Sequence, residues 1–201
     1  MTFINTLSPA EATGAAGEMY ARMQSKYGYV PNYARTFSHR PEVMQLWADL
    51  LYGVRRNMDK RRFELVTLAA ATSIGSTLCS LAHGQALTEF LPHDEVRAIA
   101  RGDDTPFLPP GEQAMLRFAR KISHTAASVT AEDVDELKAF GFDDAEIFDI
   151  AAVATARSFF AQLCEGLGTE NDHGYAQLEP GLRNALTVGR PLEVRHPEWG
   201  S

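Results

Sequence analysis

The sequence predicts an all-α protein, on three observations. Apolar residues recur at spacings of three and four along most of the 201 residues, strand-like alternation is weak, and prolines, glycines and cap residues divide the chain into pieces of helix length. The length suits one large domain or two small units sharing a core. A hydrophobic content of 45% and a charged content of 22% are those of an ordinary globular chain.

The first helix is expected over 9–26, because Pro9 and Glu11 suit a first turn and Ala, Met and Tyr follow at helical spacings. A break runs from Gly28 to Asn32, where Pro31 biases Val30 away from helix. A second helix over 41–56 carries an apolar stripe of Val43, Leu46, Trp47, Leu50 and Leu51. A third is expected over 59–74, ended or bent by Gly75, after which Ser76 caps a helix running through His83 to about 90. Further helices follow over 93–100, 111–125 and 130–140, the last opened by Thr130 with Glu132 and Asp133 in an acidic first turn. A long helix lies within 143–167. The tail over 168–201 holds Pro180, Pro191 and Pro197 with little apolar periodicity, and is expected to wrap irregularly over the domain or a neighbouring subunit.

Residues 64–84 align without gaps to residues 146–166, with Glu, Ala-Ala, Ser, Leu and Gly recurring in register. This reads as a duplicated helical unit within a single domain over 1–201, the repeat-like units covering about 41–100 and 111–167. Only the first copy carries Cys79 and His83; Ala161 and Glu165 stand at those places in the second.

A net charge of −7 argues against a nucleic-acid partner, which requires a concentrated excess of Lys and Arg. The clusters Arg55-Arg56 and Lys60-Arg61-Arg62 are too short to reverse that and are expected at a helix end and the next helix start. No stretch approaches the roughly 20 apolar residues that span a bilayer, and residues 1–8 lack the pattern of a signal peptide. With two cysteines, Cys79 and Cys164, a disulfide framework is not expected, and a cytoplasmic location is the default. The six histidines show no metal-ligand spacing, so neither metal nor cofactor is expected. Asn171-Asp172-His173 reads as a turn or cap.

Cys79 and His83 stand four residues apart and share a helix face. If Ser76 is the cap, Cys79 lies in the first turn, where free backbone N–H groups and the helix dipole favour negative charge on sulfur. A thiolate attacks a peroxide oxygen and becomes a sulfenic acid; His83 can take or return the proton, and Glu64 is a candidate to orient the imidazole. Each residue has a plainer reading: Cys79 as a small buried hydrophobe, His83 as a hydrogen-bonded helix residue, Glu64 as an ion-pair partner of Arg61 or Arg62.

Glu64, eleven intervening residues, then Ser76-Thr-Leu-Cys79-Ser-Leu-Ala-His83 resembles the proton-relay and redox motif of the alkylhydroperoxidase AhpD-like family, in the carboxymuconolactone decarboxylase superfamily. That family's pattern is Glu, eleven residues, then Cys-x-x-Cys-x-x-x-His. The segments Tyr29-Val-Pro-Asn32, Phe37-Ser-His-Arg-Pro41 and Met58-Asp-Lys-Arg-Arg-Phe-Glu-Leu65 resemble its "uncharacterized peroxidase-related" branch, and the similarity extends to about Leu167. The resemblance implies an AhpD-like helical domain and a homo-oligomer. It also implies a thiol-dependent peroxidase in which Cys79, assisted by His83 and Glu64, reduces a hydroperoxide.

The sequence departs from the pattern at Ser76, where dithiol members have the cysteine that resolves the oxidised sulfur into a disulfide. Regeneration is therefore expected from an external thiol reductant, with Cys164 as the internal candidate, and Ser76 is expected to cap the helix and hydrogen-bond the thiolate. Two other functions fit the same residues. One is a cofactor-free carboxymuconolactone decarboxylase-like enzyme with His83 or Glu64 as acid or base, which a basic anion pocket would favour. The other is a non-catalytic, redox-responsive oligomeric scaffold.

Overall fold

The computed structural model describes residues 2–192, and among these every regular element is helical. The α-helices are α1 (Gly14–Tyr27), α2 (Asn32–Thr36), α3 (Pro41–Arg55), α4 (Lys60–Ile74), α5 (Thr77–Leu87), α6 (His93–Arg101), α7 (Pro110–Thr125), α8 (Ala131–Ala139), α9 (Asp144–Gly166) and α10 (Pro180–Leu186), with short 3-10 turns after α2, α7 and α9.

Helix α4 is the centre. Its residues from Phe63 through Ala71 are all buried, so it is covered on every side, as a helix without a polar face must be. It packs between α7 and α9, and α5 folds back against it. The Ala-rich stretch Ala69-Ala70-Ala71 leaves little side-chain bulk between α4 and its neighbours. The main core gathers Leu65, Leu68, Leu81, Met115, Leu116, Leu137 and Ile150. A second cluster, where α1, α2 and α3 meet α5 and α9, holds Met19, Phe37, Met44, Phe160, Cys79 and Cys164.

Asp143 and Glu146 form a reciprocal capping box that starts α9, as Thr130 and Asp133 do for α8. Arg55 and Arg56 close α3, and Lys60, Arg61 and Arg62 open α4. Along α3 the core edge runs through Met44, Trp47, Leu51 and Val54, leaving Leu46 and Leu50 of the expected stripe exposed.

The structure corrects the sequence reading in several places. The first helix begins at Gly14 rather than at residue 9: Gly14 has φ 53°, and Glu11 accepts from the amide and hydroxyl of Ser8, closing a local turn instead. Helix α2 forms in a segment that carried no helical expectation. The tail contains α10, whose Leu182, Ala185 and Leu186 are buried against α6 and α5; residues 193–201 of the expected irregular tail lie outside the described residues. Helix α9, with 23 residues, is long and apolar enough to cross a membrane by length and composition, contrary to the sequence count. It packs instead against α3, α4 and α7. Finally, the two aligned stretches differ in conformation. Residues 64–84 form helix, break and helix, whereas 146–166 form one continuous helix with Arg157 at the place of Gly75.

Candidate active site

Local geometry at the α4–α5 junction sets the site. Gly75 adopts the left-handed conformation, φ 76°, that most side chains resist, and so ends α4 and turns the chain. Ser76 then caps α5, its Oγ accepting from the Cys79 amide at 3.5 Å. The same hydroxyl donates to Glu165 Oε1 at 3.0 Å. Its proton is thus committed to a carboxylate, which corrects the expectation that Ser76 would hydrogen-bond the thiolate.

Cys79 is buried in the first turn of α5, and His83 follows one turn later. Glu64 is buried near the start of α4, and its Oε2 lies 2.6 Å from His83 Nδ1. A carboxylate only accepts, so Nδ1 carries the proton and Nε2 presents its lone pair. Burial is the main cause that holds the imidazole below its ordinary pKa; the positive charge of Arg157 adds to it, and Glu64 opposes it. Glu64 is therefore not the surface ion-pair partner of Arg61 or Arg62. Arg61 pairs with Glu112, and Arg62 with Asp59 and Glu146.

Arg157, on α9, is the site residue that sequence reasoning missed. It is 4% exposed, and its Nη1 donates to Cys79 Sγ at 3.7 Å. The guanidinium lies 5.3 Å from the ring centres of both Trp47 and Phe160, which stack on one another at 4.5 Å. The Trp47 indole is fixed by donating to Ala156 O at 2.9 Å. The signal in the sequence was a lone cation among apolar residues of a core helix.

These groups open onto a cavity of about 560 Å³, within the usual size range of small-molecule sites. Cys79, His83, Glu64 and Arg157 line it, with Tyr33, Trp47, Phe63, Phe160 and Tyr175 among its aromatic walls. Asp172 lines it too. Its carboxylate accepts from the Asn32 amide at 2.9 Å and the Tyr29 hydroxyl at 3.3 Å, so it ties the distant 29–32 segment to the site rather than capping its own turn. Ser76 is brought to the base of the site but does not line the cavity.

Cys164 is also absent from the cavity lining. It is fully buried in the cluster that contains Cys79, and burial, reinforced by the nearby Cys79, pushes its thiol up to about 12. The tail straps this end of α5: the Gly189 amide donates to Thr77 Oγ1 at 2.9 Å, and Arg190 donates to the Glu165 carbonyl at 2.9 Å.

No family model matches the chain, and no curated protein matches it. Solved structures do. The chain is similar to an alkylhydroperoxidase AhpD core, an uncharacterized peroxidase-related protein from Ralstonia eutropha JMP134, at TM-score 0.74 and 24% identity over 87% of this chain and 94% of that one. It is similar to an uncharacterized peroxidase-related protein from Silicibacter sp. TM1040 at TM-score 0.72 and 19% identity, over 88% and 94%. The debrominase Bmp8, in a cysteine-to-alanine form in complex with 2,3,4-tribromopyrrole, superposes at TM-score 0.69 and 17% identity, over 92% and 96%.

Proposed function

With the AhpD-like fold as premise, we propose that the chain is a thiol-dependent peroxidase whose reacting atom is the Cys79 sulfur. The observation that carries the proposal is the grouping of Cys79, the half-buried His83 with its buried partner Glu64, and the Arg157 guanidinium around one cavity. His83 Nε2 accepts the thiol proton. The thiolate attacks the terminal oxygen of a hydroperoxide, the O–O bond breaks, an S–O bond forms, and the alkoxide leaves with the proton returned by His83. Sulfur gives up two electrons and the products are the Cys79 sulfenic acid and an alcohol. An external thiol then displaces water to form a mixed disulfide, and a second thiol releases Cys79. Arg157, as a fixed cation beside the sulfur, stabilises the charge that develops there.

The test is hydroperoxide consumption with a dithiol donor, together with trapping of the sulfenic acid by dimedone. Cys79→Ser is expected to reduce both to background and His83→Ala to slow consumption by about 10²–10⁴-fold. Peroxide consumption unaffected by Cys79→Ser rules this mechanism out.

A second reading, an acid–base enzyme of the decarboxylase kind acting on an organic acid, is favoured by the cations that line the cavity, Lys26, Arg55 and Arg157. A Cys79 inert to peroxide would favour this reading. Because Bmp8 is a debrominase, halide release from a brominated aromatic belongs among the control assays.

A further inference from the structure

The charges that line the cavity are unequally occupied. Both of its carboxylates are engaged, Glu64 by His83 and Asp172 by Asn32 and Tyr29. The three cations Lys26, Arg55 and Arg157 lack such a counter-charge: among the described residues none has a carboxylate within 4.0 Å, and each lies against an aromatic ring, Arg157 also donating to the Cys79 sulfur. This excess of positive charge without carboxylate partners occurs in a chain whose net charge is −7.

Arg157 is the most demanding of the three. It is nearly inaccessible, and its Nε is a buried donor with no hydrogen-bond partner among the described residues. Such donors are rare in native structures, and each costs free energy until a partner arrives. Here the donor belongs to a residue that lines a cavity whose walls are aromatic rings.

We infer that the cavity takes an organic anion with a flat apolar body, its charged oxygen on Arg157 and its ring among Trp47, Phe160 and Phe63. Exposed Arg55 and Lys26 at the cavity lining draw the anion in. A water-sized oxidant would leave most of the 560 Å³ unfilled, and a neutral hydrocarbon would leave the Nε donor unmet. Taken with the peroxidase reading, on which this corollary rests, the oxidant reduced at Cys79 is an aromatic hydroperoxide that carries an acid group. The binding inference itself concerns the ligand and does not depend on any reaction of Cys79.

The experiment is isothermal titration of the full chain, in reduced form, with 1-naphthylacetate and with its neutral isostere 1-naphthylacetamide. The acid is expected to bind at least about tenfold more tightly than the amide, the scale of a charge-assisted hydrogen bond, with the preference shrinking as salt is added. Arg157→Met is expected to abolish the preference. The double variant Lys26→Gln, Arg55→Gln, at exposed positions that leave the core intact, is expected to reduce it. Equal binding of acid and amide overturns the inference, as does binding of neither at about 1 mM. A selective acid site in a protein that consumes no peroxide leaves this inference standing and removes only the peroxidase reading; peroxide turnover without acid selectivity does the reverse.

Discussion

At the residue scale, His83 is subject to opposing influences that can be separated by substitution. Burial, with Arg157 adding to it, holds its pKa down, and Glu64 holds it up. In the proposed peroxidase the base works in its neutral form, so activity is expected to persist below the ordinary histidine value of about 6.5 before it is lost in acid. Removing Arg157's charge with Arg157→Met moves the acid limb of the pH–rate profile to higher pH. Glu64→Gln moves it to lower pH. Identical limbs in both variants would show that His83 does not set the profile. Stability follows the same linkage: below about pH 6.5 the unfolded chain binds a proton at this position that the native chain refuses. Native stability therefore falls as pH drops through that range, and His83→Gln is expected to flatten that part of a urea-midpoint titration. Glu64, Ser76, Cys79 and His83 could be found from the sequence because they lie on two consecutive helices at fixed spacing. Arg157 could not be paired with Cys79, because 78 residues separate them and only the packing of α9 brings them together.

At the element scale, α10 shows why part of the fold was not legible. Glu179 accepts from the amides of Gly181 and Leu182, and Pro180 occupies the first turn, which is a complete helix start. With only seven residues, however, the helix has too few apolar positions to display a period. Its place is set instead by Gly84 of α5, where a Cβ would collide with the side chain of buried Leu186. Gly84→Val is therefore expected to cost about 1–3 kcal/mol by overpacking, read as a lower urea midpoint at unchanged slope. An unchanged midpoint would mean that α10 moves aside freely. The break at Gly75 is different in kind: glycine there was legible as a stop, because the left-handed turn it makes is costly to other residues by about 1–2 kcal/mol.

At the scale of the whole molecule, the long apolar helix α9 is covered on one side and bare on another. Phe148, Ala152, Thr155 and Phe159 of α9 share a face, and Phe148 is 68% exposed; Leu46 and Leu50 of α3, which packs beside α9, are exposed as well. If the chain self-associates, as its resemblance implies, this surface is the expected contact. Phe148→Glu then lowers the mass measured by light scattering, and an unchanged mass excludes this face. The all-helical architecture was legible because many helices carry their own start residues, Asp59, Ser76, Thr130 and Asp143 among them, and α1, α4 and α6 end on glycine. The order of packing around α4 was not, since Ala-rich helices offer similar surfaces on all sides.

The turn of helix from Ser76 to Cys79 lies between charges of opposite sign, with Glu165 against its first residue and Arg157 against its last. That polarity would rank two sulfurs placed there. The one beside the guanidinium is suited to strike first, and the one facing a carboxylate is held back as a thiol until its neighbour has been oxidised. Ser76→Cys should therefore convert a one-thiol centre into an ordered pair. A single equivalent of peroxide is expected to yield an internal disulfide with Cys79, seen as a loss of two hydrogens in the intact mass, and brief alkylation before oxidation should label Cys79 ahead of the new thiol.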